Sequence, residues 1–485
     1  MGKLRGFVEI GRKDALKRPA PERIADFDEV EGSVALPVLR DQASRCMDCG
    51  IPFCHKGCPL GNRIPDWNDL VYRDRWRAAL DQLHATNNFP EFTGKTCPAP
   101  CEEACVLNIN DAPVTIKQIE KQIIEHGWEH GWVAAMAPKR ATGKKIAVVG
   151  SGPAGLACAQ QLARAGHAVT VYERSDRLGG LLRYGIPDFK MHKSDIDRRI
   201  EQMRGEGVTF EVNADVGGTI AAEQLRSRFD AVCLATGAQK ARELPVPGRD
   251  LRGVELAMPY LEQQNRVVAG DEVKGQILAT AKRVVILGGG DTGADCLGTA
   301  HRQRAAEVHH FHYKPAPPEM RTADMPWPWW PMILRDSSSH EEGGVRGWGV
   351  VAKAFTGDAV GNLRAMHCVH VDWQKDEQGR ARMVELPSSE TTIEVDLVLL
   401  AIGFEGTDAA VAVSGFGAEL TEHGTALVDA RFATGARGVF ACGDAVRGPS
   451  LVVWAIWEGR QAAYEIDTFL MGKSELPVSP NPLPL

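Results

Sequence analysis

No apolar run in this 485-residue chain approaches the eighteen or so residues of a membrane span. No basic stripe interleaved with aromatics occurs either, and the formal net charge is -7, which excludes a nucleic-acid binder. The opening MGKLRGFVEIGRKDALKRP scatters charge where an export signal needs an apolar core, and it lacks the Ser or Thr that myristoylation requires. A short-period repeat is missing as well, so solenoid and propeller architectures drop out. The expectation is a cytoplasmic protein whose partners are small molecules and other proteins, with no membrane and no nucleic acid. In a reducing compartment structural disulfides are excluded, and grouped cysteines mean metal or redox chemistry.

What is present is ordinary globular composition, 44% hydrophobic and 25% charged, in a length that suggests about three domains. The cysteines are not evenly spread. Seven of twelve fall between residues 46 and 105, while Cys158, Cys233, Cys296, Cys368 and Cys442 stand singly in apolar contexts that predict buried packing.

The first group, RCMDCGIPFCHKGCPLG, runs C-x2-C-x4-C-x3-C with Pro59 after the last cysteine. The second, Cys97, Cys101 and Cys105, runs C-x3-C-x3-C. Thiolates suit zinc or iron-sulfur clusters. A two-site zinc module would use eight Cys or His ligands in paired C-x2-C knuckles, and only one such pair occurs here. The spacing is instead similar to the bacterial ferredoxin run, in which the Cys before Pro serves the other cluster. By that crossed logic Cys46, Cys49, Cys54 and Cys105 bind one [4Fe-4S] cluster, and Cys58, Cys97 and Cys101 bind a second, one ligand short. His55, Gln118 and Glu120 are the candidates for the missing donor. A helical pattern over 62–96 separates the two groups, which therefore meet only in three dimensions.

From about residue 143 strands alternate with helices, the signature of parallel sheets. In KKIAVVGSGPAGLACAQQLARAGHAVTVYERS a strand enters Gly150, Gly152 and Gly155, a helix follows, and a second strand leads to Glu173, 23 residues after Gly150. This is the order of a dinucleotide fold, with pyrophosphate at the helix N-terminus and an acid for ribose hydroxyls. A second unit carries Gly288, Gly290 and Gly293 in VILGGGDTGADC, but its second strand ends near Tyr313 and Lys314 without a carboxylate. An acid there would repel a 2'-phosphate, so NADPH is expected over NADH, with Lys314 and Arg302 the nearby cations. A third signal, GVFACGDAVRGPSLVVWAIWEGRQAA, places Gly443 and Asp444 between a strand and a helix, where an Asp can bond a ribityl hydroxyl and the helix N-terminus can favour a reduced flavin. The Pro- and Trp-rich stretch 315–344 is not a regular element and is expected to be a surface excursion packed by its own aromatics.

The segments RCMDCGIPFCHKGCP, NRIPDWNDLV, TCPAPCEEACVL, VTIKQIE, VVGSGPAGL, GGLLRYGIPDFKM, ATGA, GGGDTGADC and ACGDAVRGPSLVVWAI together resemble the small (beta) subunit of bacterial glutamate synthase. They are similar also to the electron-input half of dihydropyrimidine dehydrogenase. The resemblance implies an α/β fold: two Rossmann-like domains, for FAD and NADPH, the second inserted in the first, preceded by a helical domain with two [4Fe-4S] clusters. The expected boundaries are 1–142 for the cluster domain, 143–250 and 404–485 for the FAD domain, and 251–403 for the NAD(P)H domain. Carried onto this chain, the motifs add Pro153, Ala154, Gly180, Leu181, Gly237, Leu451, Val452 and Ala455 to the FAD residues and Asp291 and Thr292 to the NADPH residues. They favour Glu120, in the VTIKQIE segment, as the eighth cluster ligand.

The implied activity is electron input. Hydride passes from NADPH to FAD, and electrons leave through the clusters to a large (alpha) subunit that makes L-glutamate from L-glutamine and 2-oxoglutarate. No side-chain nucleophile is needed, because the cofactors carry the chemistry. The chain lacks an N-terminal Cys for glutamine hydrolysis and a third large domain for FMN, so glutamate formation is assigned to that partner. The alternative is a related NADPH-dependent flavin/iron-sulfur oxidoreductase serving ferredoxin or a pyrimidine reductase. A cluster-bearing scaffold with a degenerate nucleotide fold is the non-enzymatic option.

Overall fold

The computed structural model of the chain describes residues 2–407 and 410–478, so parts of the expected FAD-domain return segment, 408–409 and 479–485, lie outside the described residues. Residues up to about 140 form short helices without a sheet. The helical pattern expected over 62–96 is broken into Ile64–Tyr72, Trp76–Thr86 and Pro90–Thr96. Asp74 sits between the first two at φ 62°, and Pro90 starts the third. Periodicity alone hid these breaks, since each piece buries one face: Trp67 and Val71, then Leu80 and Leu83, then Phe92.

The chain then enters β1 Lys145–Val149, β2 Ala168–Tyr172, β3 Thr209–Glu211 and β4 Ala231–Leu234. A second series follows: β5 Val254–Leu256, β6 Arg283–Leu287, β7 Glu307–His312, β8 Val345–Trp348, then β9 Val350–Gly357, β10 Leu363–Lys375, β11 Ala381–Glu385 and β12 Thr391–Glu394, and β13 Leu397–Leu400. The last strand, β14 Val439–Ala441, goes back to the first sheet beside β4. The first sheet has the order β14-β4-β1-β2-β3 and the second β5-β13-β6-β7-β8. Every pairing in both is parallel. The second unit is thus an insertion between β4 and β14 of the first. The β1 and β6 strands are apolar runs because both faces of each sheet are covered, the first by helices and the second by helices on one face and by the antiparallel strands β9 and β10 on the other.

An antiparallel sheet of β9 to β12, which the motifs did not signal, hangs on the second unit. Among the described residues no helix is long and apolar enough to cross a membrane. The helical domain and the first unit share one continuous core, running from Trp67 and Phe92 through Leu156 to Ile456.

Candidate redox site

Cys46, Cys49, Cys54 and Cys105 line one small cavity, walled by Phe53, Asn68, Val114 and Ile116. Burial pushes the Cys46 thiol up to about 11, with the charges of Cys105 and Cys49 adding to the effect. Cys58, Cys97 and Cys101 are buried apart from these. Burial raises all three, that of Cys58 to about 12, and in each case the charge of Glu120 adds to the rise. The seven thiols therefore separate into two neighbourhoods. The helix Phe53–Gly57 carries Cys54, ends at Cys58, and packs on the helix Pro100–Glu103, which carries Cys101.

Glu120 projects from the helix Ile116–Glu129 into the second neighbourhood. Its Oε1 accepts from Asn87 Nδ2 at 3.0 Å and from the Thr93 hydroxyl. Burial pushes its carboxyl up to about 7. The other two candidates are placed differently. Burial holds the His55 imidazole below its ordinary value, and its buried Nε2 has no hydrogen-bond partner. The buried amide nitrogen of Gln118 also has none. Two pockets of clustered, desolvated thiols have little sense as bare thiols, since ionising any one opposes its neighbours. They fit a soft, positively charged iron-sulfur core that holds the thiolates.

In the first dinucleotide unit Gly150 has φ 108°, and a Cβ there would drive into the carbonyl oxygen of Ala235, just past the end of β4. Around Gly152 there is open space at the N-terminus of the helix Pro153–Arg164. That opening before a helix start is where a pyrophosphate fits. Glu173 is buried, and its Oε2 accepts from the Ser151 hydroxyl at 2.5 Å and the Ser151 N–H at 3.2 Å. The acid thus also braces the loop it was expected to serve. Gly180 lies over Gly152, so the segment Gly180, Leu181 closes the loop from above. Gly443 comes up against Ala154, which brings Asp444 to the same helix N-terminus.

Asp444 accepts from Ser450 Oγ at 2.8 Å, and burial pushes its carboxyl up to about 6. Leu451, Val452 and Ala455 lie at the start of the helix Val452–Met471, which packs along Pro153–Arg164. Gly237 follows β4 at φ 74°. Sequence reasoning missed Glu458: its carboxylate, buried in that helix, accepts from Gly443 N at 2.8 Å and Arg447 Nε at 2.7 Å. A charged residue inside the apolar run VVWAIWEG was the available signal.

The second unit repeats the loop. Gly288 has φ 129°, a Cβ there would meet the carbonyl of Ala401, and Gly290 faces open space before the helix Asp291–Arg302. Asp291, Thr292 and Gly293 form the first turn of that helix. Three histidines that the motif search passed over support this loop. His310 Nε2 bonds the Gly288 carbonyl at 2.5 Å, its Nδ1 lies 3.2 Å from His340 Nε2, and the His312 ring packs on Trp348 with centroids 3.9 Å apart. Burial holds His312 and His340 down to about 3, so the three are neutral and act as packing and hydrogen-bonding groups.

Lys314 is exposed just beyond β7, as expected. Arg302 is not available to a phosphate. It is buried in a bidentate pair with Glu342, at 2.7 and 3.1 Å, and its guanidinium lies 3.8 Å from the Phe189 ring centroid. This corrects the expectation for Arg302. Arg23 of the helical domain bonds the same Glu342 at 2.8 Å. Phe189 belongs to GIPDFKM, so that segment sits at the junction of all three units. Its backbone carbonyl accepts from Val30 N.

The stretch 315–344 is not packed by its own aromatics alone. Trp327 lies on Phe53 with ring centroids 4.6 Å apart and donates its indole N–H to the Cys105 carbonyl at 3.3 Å. The second nucleotide unit therefore touches the wall of the first thiol cavity.

Two family models match the chain. Residues 144–459 match the pyridine nucleotide-disulphide oxidoreductase family, and residues 23–132 match dihydropyrimidine dehydrogenase domain II, 4Fe-4S cluster. A relative from Mycobacterium tuberculosis called glutamate synthase [NADPH] small chain is 54% identical, over 99% of both chains. One from Schizosaccharomyces pombe called glutamate synthase [NADH] is 43% identical over 98% of this chain but only 23% of its own length. Among solved structures, Mycobacterium tuberculosis FprA in complex with NADPH superposes with a TM-score of 0.53 at 19% identity, over 68% of this chain and 84% of that one. That likeness shows the fold of the paired nucleotide units.

Proposed function

The chain belongs to the glutamate synthase small-chain family, and on that premise we propose that it is the NADPH-oxidising electron-input subunit of a glutamate synthase. The observation that carries the reading is the partition of the thiols into two separate neighbourhoods beside an open dinucleotide loop. Cys46, Cys49, Cys54 and Cys105 hold one [4Fe-4S] cluster, and Cys58, Cys97, Cys101 and Glu120 hold the second. FAD rests on Gly150, Gly152, Gly155, Gly180 and Gly443, with Glu173 and Asp444 for its hydroxyls. NADPH rests on Gly288, Gly290 and Gly293, with Lys314 for its 2'-phosphate. When bound, the flavin and clusters supply the conversion of a two-electron hydride donor into single-electron carriers.

The chain's own residues position and insulate. The helix N-terminus at Pro153 offers backbone N–H groups to phosphate. Glu458 fixes Gly443 through the N–H, and Gly443 in turn fixes Asp444. Asn87 and Asn88 bridge the two sites: the first donates to Glu120, and the second donates to Gln160 at 2.7 Å and accepts from Arg460 at 2.5 Å, both in the flavin unit. The adjoining faces of the two units are thereby tied together through buried hydrogen bonds.

The acceptor is a large subunit. In the fungal relative the matched segment is 23% of one polypeptide, whose remainder would correspond to that partner. Anaerobic addition of NADPH should bleach the yellow-brown chain, and glutamate should form from glutamine and 2-oxoglutarate only when a large chain is added. Bleaching without any acceleration by a large chain would instead favour a ferredoxin-type acceptor.

A further inference from the structure

Segment 315–344 crosses from the second nucleotide unit to the helical domain and is anchored at three places. Near its end, Glu342 is buried between Arg23 and Arg302. In its middle, Arg335 and Arg321 both reach the carboxylate of Glu103, at 3.0 and 3.1 Å, and Arg321 also bonds the Glu103 carbonyl at 3.2 Å. At its tip Trp327 covers Phe53 and donates to Cys105. Glu103 stands two residues before Cys105, and Phe53 lines the cavity that Cys46, Cys49, Cys54 and Cys105 share. Arg321 also bonds the Trp329 carbonyl at 2.6 Å, so the aromatic tip is held in shape by the cation that anchors it.

We propose that segment 315–344 is an outer cap on the Phe53 and Cys105 wall of the Cys46/Cys49/Cys54/Cys105 cavity, with Trp327 the shield that keeps water from the back of that wall and Glu103 the ionic anchor. The inference rests on the cluster reading above and deepens it: a positioning residue for one cluster is supplied by the nucleotide unit rather than by the cluster's own domain. The physical consequence has a sign. Reduction adds negative charge to a cluster, and water stabilises that charge better than an indole does. Exposure therefore raises the reduction potential and opens the cluster to oxidative loss.

The test uses the full chain purified anaerobically with its cofactors. Trp327→Ala should shift one EPR-monitored midpoint upward and, in air, lose iron several-fold faster from the cluster that Cys105→Ser also damages. The other cluster and the flavin should be unchanged. Trp327→Phe keeps the ring on Phe53 and should restore most of the protection, while Glu103→Gln should weaken it. Equal acceleration at both clusters would mean general destabilisation and would overturn the cap, as would a wild-type rate at both. Wild-type protein that holds no cluster at these four cysteines would defeat the parent reading itself, and the cap with it.

Discussion

Arg199 and Glu91 form a bidentate ion pair, at 2.6 and 3.0 Å, with both side chains excluded from solvent. Arg199 is on the helix Ser194–Gly205 of the first nucleotide unit, and Glu91 is in the helix Pro90–Thr96 of the helical domain. The guanidinium also lies 4.9 Å from the Trp128 ring centroid. The pair therefore joins the two units through a charge contact that has no water to fall back on.

Removing one partner strands the other, so Glu91→Ala should destabilise the protein by about 3–5 kcal/mol. Urea unfolding of the purified chain measures it. Replacing both, as Glu91→Leu with Arg199→Met, should recover most of the loss, because the cost lies in the uncompensated charge more than in the missing attraction.

Asp444 gives a pH dependence with a defined sign. Its carboxyl is raised from 3.8 to about 6, chiefly by burial. Below pH 4 both folded and unfolded forms are protonated and no penalty exists. Between pH 4 and 6 the unfolded chain ionises first, so stability falls as pH rises, and above 6 the loss is complete at about 3 kcal/mol. Flavin-free Asp444→Asn should lack this component when unfolding curves at pH 4 and pH 7 are compared. An unchanged pH dependence would show that Asp444 is not the group responsible.

Local signals were legible in the sequence where chemistry demands a fixed spacing. Gly150, Gly155 and Gly288 could be read because backbone passes too close for a side chain, and the two cysteine runs because each wraps a small volume. The histidines under Gly288 were not legible, since HHFH reads as an alternating strand until β6 and β7 are paired in register. Arg302 was misread for a related reason. Its position suits a phosphate, and only the tertiary approach of Glu342, 40 residues on, shows that its charge is already committed. The role of 315–344 depended on which domain it lands against, which no local pattern encodes.

Lys314 and Arg302 should therefore behave differently on substitution. Lys314→Ala should raise KM for NADPH about tenfold and leave NADH little changed, the loss expected for one charge-assisted contact to phosphate. Arg302→Ala should lower the melting temperature, because Glu342 loses one of its two cations, yet keep the ratio of NADPH to NADH kcat/KM. Steady-state rates with an artificial acceptor distinguish the two outcomes.

The cysteines make the sharpest prediction, because neighbours in sequence are assigned to different clusters. Cys54 and Cys58 are four residues apart, but Cys54 lies in the helix Phe53–Gly57 and lines the cavity with Cys105, whereas Cys58 is the extended residue that ends that helix and feels the charge of Glu120, as Cys97 does. Anaerobic protein should contain about eight iron atoms and eight acid-labile sulfides, the content of two cubanes. Cys58→Ser, Cys97→Ser and Cys101→Ser should each abolish the same EPR signal, and Cys105→Ser should abolish the other. Glu120→Ala should fall with the Cys58 set and shift that signal, whereas Glu120→Cys should retain a cluster with altered potential. Finding Cys58 grouped with Cys46, or stoichiometric zinc in place of iron, would break the crossed assignment and leave the nucleotide sites untouched, since those rest on the glycine loops and their strands.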